Sequence, residues 1–304
     1  MQLLIEQSLN ALQLGFTLFL LATGMTLIFG IMGLINLAHG SLYMVGAFIG
    51  TTAASQSGSI LLGILAGVAG TAVAGVVVEL LVFRRLYHRD HLYQVLATFG
   101  IILFVNELST IIWGRAPLLV EIPDWLNGSV QLMPGLSYPV YRLAVVGVGA
   151  LVAIGLHLLV ERTRLGMLVR AGATDRDMVA ALGVNIARLY TAVFALGAAF
   201  AGLAGILAAP IQSTQIGMGE QVLILTFVVV VVGGVGSVKG AFAGSMLIAL
   251  VDTLGRAYVP GLFKLLFSSS VADALGTSVA SVAIYLVMAV VLIVHPQGLF
   301  PESR

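Results

Sequence analysis

The sequence contains no cysteine and very little charge, and these two absences exclude several kinds of protein. Without cysteine the chain can form no disulfide, no thiolate metal site and no thiol nucleophile. Only 9% of the 304 residues are charged, whereas soluble domains carry roughly 25%. The net charge is +1, which gives no field that would attract nucleic acid. So little charge cannot coat a water-soluble globule, and the surface must therefore face lipid.

Long apolar runs take up most of the chain, in which 60% of the residues are hydrophobic. About 20 residues are needed to cross a bilayer, and the small residues scattered through the runs let helices approach closely in lipid. The first run lacks the basic stretch and cleavage site of a signal peptide and is expected to be retained. The sequence predicts an all-α polytopic membrane protein, one domain over 1–304, with roughly eight or nine transmembrane helices. The runs occupy residues 9–30, 39–55, 60–83, 92–113, 140–160, 188–209, 221–234, 240–259 and 275–294.

Basic residues are distributed unevenly between the loops. If the spans alternate in direction, ten of the fourteen lysines and arginines fall on one side, which includes the loops 84–91 and 161–188, Lys239 and Arg304. Short cytoplasmic loops carry an excess of lysine and arginine. This side and the C-terminus are therefore expected in the cytoplasm, and the N-terminus outside.

Two glycine-rich segments interrupt the apolar runs. They read GIMGLINLAHG at 30–40 and GGVGSVKG at 233–240. Broken helices are tolerated in a membrane where protein or a water-filled cavity satisfies the freed backbone, and paired interruptions mark transport paths. The residues leave two interpretations open, which are one or two broken helices or ordinary tight turns.

Catalytic motifs are not found in the sequence. In GGVGSVKG the lysine precedes the last glycine, so the segment cannot wrap a phosphate as an ATP-binding G-x-x-x-x-G-K-[ST] loop does. His88 and His91 are interpreted as residues at the level of the lipid headgroups, not as metal ligands. His39 and Ser41 could form the pair of an intramembrane hydrolase, but packing or helix capping is the favoured interpretation. No enzyme activity, metal or cofactor is expected.

One long polar segment, Glu161 to Tyr190, is expected on the cytoplasmic side. Thr174, followed three residues later by Asp177, predicts a capped helix of about eight residues that ends at Gly183. Acidic residues favour the first turn of a helix, and residues three and four apart share one helix face. The residues alone leave open whether the helix docks on a partner or packs on the membrane. The acidic first-turn residues are Asp175 and Asp177, and the shared apolar face is Met178, Ala181 and Leu182.

Several patches together resemble the LivH-type permease subunits of branched-chain amino-acid ABC importers. Three are characteristic in combination, and two shorter matches extend the resemblance over nearly the whole chain in family order. The patches are Gly24–Phe48, Leu96–Leu108, Glu161–Tyr190 followed by Phe194–Leu207, Phe227–Leu250, and the tail His295–Phe300.

The resemblance implies a multi-pass subunit of the bacterial inner (plasma) membrane that imports branched-chain or related small amino acids. It implies a second permease subunit, homologous or identical, two ATP-hydrolysing subunits and a periplasmic substrate-binding protein as partners. It also assigns the short cytoplasmic helix to coupling with the ATPase. The residues so assigned are Thr174, Asp175, Arg176, Asp177, Met178, Ala181, Leu182 and Gly183.

Polar residues within the spans are candidates for lining a translocation path, because buried polar groups are costly in a membrane unless they face partners or water. Helix–helix packing is the alternative for each of them, and Glu79 is expected to form a structural pair with Arg84. A urea or short-chain amide ABC permease remains an alternative function. A self-contained ion-coupled transporter using Glu107 or Asp252 is another. The path candidates are Asn36, His39, Ser41, Asn106 and Ser237.

Overall fold

The computed structural model describes residues 2–34, 36–87 and 89–300 of the chain, which fold into a helical bundle. Within this part, nine long helices coincide one for one with the predicted apolar runs, so the all-α polytopic class is confirmed. Seven of them, counting the stretch 60–86 as one, have the length and composition of membrane spans. The helices are α1 Gln2–Met32, α2 His39–Ser57, α3 Ile60–Val78, α4 Arg84–Leu86, α5 His91–Trp113, α6 Val140–Arg162, α7 Arg164–Thr174, α8 Arg176–Ala181, α9 Ile186–Gln212, α10 Met218–Gly233, α11 Val238–Phe263 and α12 Ser269–Val294.

A small β-hairpin lies in the loop between α5 and α6. Its strands, β1 Ser129–Met133 and β2 Leu136–Pro139, pair antiparallel with Ser129 opposite Pro139. A side-chain amide from α1 holds the hairpin at one end of the bundle, because Gln2 Nε2 donates to Pro134 O over 3.0 Å. The sequence did not predict this hairpin.

Helices α1 and α9 form the centre of the bundle, and both are buried along most of their length. By contrast, α5, α6 and α12 carry large apolar side chains such as Leu103, Leu151 and Ile293 on exposed faces. In a soluble protein such exposure would favour aggregation. In a bilayer these faces can contact lipid or another subunit.

Helix α2 packs on α9 through backbone contacts at glycines. A Cβ atom added to Gly205 would lie 2.1 Å from Tyr43 O, and one added to Gly46 would lie 2.3 Å from Gly202 Cα. Close approach at small residues replaces the hydrophobic driving force that helices lack in lipid. The spacing of these two helices therefore depends on the absence of side chains at the contact.

The loops separate into two ends of the bundle. One end, here called the basic end, carries Arg84, α7, α8 and Lys239. Arg84 Nη2 donates to Thr191 Oγ1 at the start of α9 over 2.7 Å, and Lys239 Nζ lies 3.1 Å from Glu161 Oε1. The hairpin and the N-terminal residues of α1 lie at the other end. This grouping is the one that the alternation of spans predicts.

Helix α2 starts in the interior of the bundle. Its first residue, His39, packs beside Gly24, since a Cβ atom on Gly24 would lie 2.7 Å from His39 Nε2. Gly24 precedes the end of α1 at Met32 by eight residues, which is about 12 Å of helix. The chain therefore turns back along α1 before α2 begins, as expected for a broken segment.

The second glycine-rich segment does not break a helix. Residues 234–237 form a tight turn between α10 and α11, in which Ser237 N donates to Gly234 O over 3.1 Å. The counterpart of the break before α2 is the stretch between α9 and α10, which leads to a second helix that begins inside the bundle. Thr214 bonds to Leu118 at the end opposite the basic end, whereas Gly219 already touches Gly40 in the interior.

The glycine contacts predict opposite effects for two Gly→Ala substitutions. Gly205→Ala should destabilise the bundle by about 1–3 kcal/mol, because the new methyl group would overlap Tyr43 O. Gly147→Ala in α6 is the control, since no atom lies within 4 Å of its Cβ position. Removing a helical glycine there should stabilise by about 0.5–1 kcal/mol. Thermal unfolding in detergent measures both, and equal melting temperatures would contradict the packing described here.

Candidate functional site

The polar segment between α6 and α9 folds into two consecutive short helices. Thr163 begins the first, α7, by accepting a hydrogen bond from Gly166 N over 3.2 Å. Gly166 permits the tight turn from α6, because a Cβ atom there would lie 2.2 Å from Val160 O. The sequence predicted only the second helix. A threonine three residues before a glycine gave no clear signal for the first.

The second helix, α8, begins one residue later than predicted. Asp175 is its N-cap, and its Oδ1 accepts from Asp177 N over 3.1 Å and from Met178 N over 2.9 Å. Thr174 is the last residue of α7, where its hydroxyl donates to Arg170 O over 3.1 Å. The predicted capping box at Thr174 was therefore wrong. Asp175 replaces it because an extended backbone at the junction brings an equally good capping side chain into reach.

The end of α8 follows the prediction. Gly183 has a φ of +85°, a conformation that glycine adopts without strain. Gly183 N donates to Ala180 O over 2.9 Å, and Val184 N donates to Val179 O over 3.3 Å. These two bonds form a Schellman motif, which satisfies carbonyls that a helix end leaves free. The helix has six residues, two fewer than predicted.

Helix α8 presents an apolar face outward. Leu182 is 76% exposed and Met178 is 60% exposed, whereas Val179 is 5% exposed and packs inward. Ala181 is exposed on the same face, and the charged residues Arg176 and Asp177 are exposed beside it. The predicted surface of Met178, Ala181 and Leu182 is therefore present, and it has no contact within the described chain that would bury it.

A buried carboxylate fixes the helices that carry this segment. Glu79 begins a π-helical turn, Glu79–Phe83, at the end of α3 and is fully buried. It accepts hydrogen bonds from Tyr87 Oη over 2.7 Å and from Thr191 Oγ1 over 2.9 Å, and Arg84 Nη2 lies 3.3 Å away. The predicted pair with Arg84 is confirmed. The network also ties α3 to the start of α9, next to α7 and α8.

Three of the five path candidates lie together at the start of α2. Asn36, His39 and Ser41 are all buried, with at most 4% exposure. Ser41 Oγ and both amide atoms of Asn36 have no hydrogen-bond partner among the described residues, whereas the His39 ring lies against the backbone of α1 at Leu21 and Gly24. His39 and Ser41 therefore form no hydrogen-bonded pair of the kind a hydrolase needs.

The start of α10 lies against these residues. A Cβ atom on Gly219 would lie 2.2 Å from Gly40 O and 3.1 Å from Ser41 N. The next residue, Glu220, accepts a hydrogen bond from Asn106 Nδ2 over 2.5 Å. Asn106, the fourth candidate, is thereby connected to the same region. Sequence reasoning missed Glu220, although a carboxylate opening a short apolar helix after two glycines was a usable signal.

The fifth candidate, Ser237, lies at the basic end of the bundle. Its hydroxyl accepts from Gly240 N over 3.0 Å and thereby caps α11. It also lines a groove of about 970 Å³ with Lys239, Glu161 and Phe300. The structure therefore does not bring Ser237 together with the other four.

Residues proposed for the alternative functions have structural partners or face outward. Asp252 Oδ1 lies 2.7 Å from Arg256 Nε, in an ion pair between residues one helical turn apart. Glu107 is exposed on α5. In the described ranges no group of three or more histidine and acidic side chains could hold a metal ion. His88, which was interpreted together with His91 as a residue at the level of the lipid headgroups, lies outside the described residues.

Comparison with known proteins decides the family. The model of the family described as "Branched-chain amino acid transport system / permease component" matches residues 7–294, which is nearly the whole chain. The chain belongs to this family. It is therefore a permease component of a transport system and not an enzyme. The LivH-type resemblance in its sequence is confirmed.

The similar proteins are named as permeases in bacteria and in an archaeon. The chain is 30% identical to the high-affinity branched-chain amino acid transport system permease protein BraD of Pseudomonas aeruginosa, over 97% of the chain and 95% of that protein. It is 28% identical to LivH of Escherichia coli, over 86% and 88%. A probable LivH of Methanocaldococcus jannaschii is 26% identical, over 81% and 79%. No solved structure gave a significant match.

Proposed function

We propose that the chain is a membrane subunit of an ABC importer that carries branched-chain or related small amino acids into the cell. The observation that carries this proposal is the exposed apolar face of α8 on a bundle whose family is that of transport permeases. The relatives' names refer to branched-chain amino acids, which favours these substrates over urea or short-chain amides.

The energy for import comes from other subunits in this proposal. The sequence has no ATP-binding loop, so a permease of this kind needs a subunit that hydrolyses ATP. Two such subunits bind the permease pair, and α8 inserts Met178, Ala181 and Leu182 into a groove on one of them. A second permease, homologous or identical, completes the path, and a periplasmic binding protein delivers the substrate.

The basic end of the bundle faces the cytoplasm, and the hairpin end faces the periplasm of a bacterial inner membrane. The excess of lysine and arginine at the basic end supports this orientation. The C-terminus is then cytoplasmic, because Phe300 N donates to Gly233 O at that end. Coupling by α8 requires this orientation, since ATP is available only in the cytoplasm.

Cysteine labelling tests the orientation in a chain that contains no cysteine of its own. Arg85→Cys and Arg176→Cys, both at exposed positions, should resist a membrane-impermeant thiol reagent in intact cells. Glu121→Cys, exposed in the loop that contains the hairpin, should react. All three should react in opened membranes. Labelling of Arg176→Cys from outside the cell would contradict the orientation and the coupling role of α8.

A charge on the apolar face of α8 should separate the partner from the permease. In Leu182→Asp an unpaired carboxylate would enter the groove on the ATPase subunit, which is strongly unfavourable. The variant should insert and melt as the wild type does, because Leu182 is 76% exposed and contributes little to the fold. Co-purification of the ATPase subunits should fall at least about 10-fold, which corresponds to roughly 1.4 kcal/mol.

Leu119→Asp is the matched control, because Leu119 is also 76% exposed but lies in the loop between α5 and α6. This variant should retain its ATPase subunits. Normal co-purification and uptake with Leu182→Asp would show that α8 does not couple the permease to the ATPase. Loss of the ATPase in both variants would point to a general effect of added charge instead.

A further inference from the structure

We propose that the ends of α2 and α10 that meet inside the bundle form a binding site for the two charged groups of an amino acid. In this site the substrate carboxylate contacts the start of α2, and its ammonium group contacts Glu220 and Asn106. The inference rests on the proposed function and specifies how the permease recognises its substrate.

Both helices begin without a side-chain cap. The residue before α2 is Ala38, and the residue before α10 is Gly217, which has a φ of +86°. His39 N already donates to Asn36 O and Met218 N to Gln215 O. The next N–H groups of each first turn have no partner in the described chain, and they carry a partial positive charge. Away from water these donors need an acceptor, and a carboxylate is well suited to them.

Unpartnered side chains lie at the same place and point independently to a ligand. Ser41 lies in the first turn of α2, and its hydroxyl is buried without a partner in the described chain, as are both amide atoms of Asn36 just before the helix. A buried polar group without a hydrogen bond costs several kcal/mol in an apolar medium. Ser41 and Asn36 can each donate a hydrogen bond to a carboxylate oxygen.

The start of α10 offers hydrogen-bond acceptors, whereas the start of α2 offers donors. Glu220 Oε1 is bonded to Asn106, but Glu220 Oε2 and Asn106 Oδ1 are both buried without a partner in the described ranges. Oε2 lies 3.8 Å from the Cβ position of Gly217, and so the carboxylate folds over the start of its own helix. These two free acceptors suit an ammonium group, which has three N–H donors.

The two sets of groups are close enough to serve one small molecule. Gly219, which precedes Glu220, lies in backbone contact with Gly40, which precedes Ser41. The carboxylate and ammonium of an α-amino acid are attached to the same carbon atom and therefore need neighbouring partners. Leu223 lies beside Gly40 and offers the substrate side chain only an apolar surface. Such a site recognises the charged groups that all amino acids share.

The site is closed in this structure, because the two glycines touch. Gly40 and Gly219 meet through backbone atoms, with Leu223 beside them. The substrate would enter when they separate and would replace the missing partners of Ser41, Asn36 and Glu220. This movement would expose the same groups that the closed bundle leaves unsatisfied.

The test uses the complete importer in proteoliposomes with saturating binding protein and measures leucine uptake and ATP hydrolysis. Glu220→Gln keeps a carbonyl acceptor for Asn106 but removes the negative charge that would hold the ammonium group. We expect leucine uptake to fall at least about 10-fold while binding-protein-stimulated ATP hydrolysis and the melting temperature stay within about 2-fold and a few degrees of wild type. Glu107→Gln, the same exchange at an exposed carboxylate on α5, should change neither rate.

Unchanged uptake with Glu220→Gln would overturn the site. If Glu220→Gln has a clearly lower melting temperature than the wild type, leucine uptake by Ser41→Ala is the deciding measurement, because removal of an unpartnered hydroxyl leaves the fold intact. A loss of uptake with normal melting would support the site, and normal uptake would overturn it. A wild-type complex without ATP-dependent uptake would refute the proposed function, a result that is distinguishable from either outcome of the variants.

Discussion

A polar group buried in a bilayer must find its hydrogen-bond partner within the protein, because no water is present to supply one. Most of this chain satisfies that constraint. Glu79 is buried at a π-helical turn and receives bonds from Tyr87, Thr191 and Arg84, and Asp252 is paired with Arg256. A few other buried polar atoms, among them Thr23 Oγ1, Thr26 Oγ1 and Gln94 Oε1, also have no partner in the described chain, but the unpartnered groups at the start of α2 lie close together. They occur where two helices begin inside the bundle, and this coincidence underlies the proposed substrate site.

Helix α1 connects the two candidate functional regions of the molecule. Near its end, Ile31 lies close to Gly172 of α7, which leads directly into α8. Eight residues before that end, Gly24 packs against His39 at the start of α2. A shift of α7 that followed ATP binding would therefore act on the helix that contacts His39.

Hydropathy predicted the bundle well, because each span in lipid must be apolar along nearly its whole length. All nine apolar runs form helices. The end of α8 at Gly183 was also predicted correctly, because the residue after a helix often needs a positive φ, which glycine adopts. The start of α8 was placed one residue early, since Thr174 and Asp175 are both good capping residues and only the junction with α7 selects between them. The glycine-rich stretch before Lys239 had the composition of a break but forms a turn capped by Ser237.

The candidate site was predicted only in part, because its residues come from distant positions. Asn36, His39 and Ser41 were found because they are close together in sequence and polar within an apolar run. Glu220 was missed because its significance comes from Asn106, 114 residues earlier in the chain. Contacts of this range depend on how the helices pack, which periodicity and composition do not determine.

Reconstitution into lipid vesicles shows whether this chain transports only as one part of an ATP-driven importer. The measurement is leucine uptake into vesicles that contain the chain alone, or the chain with a second permease, two ATPase subunits and the binding protein. We expect uptake only with the full set of subunits and only when ATP is hydrolysed. Concentrative uptake by the chain alone, driven by a proton or sodium gradient, would contradict this expectation.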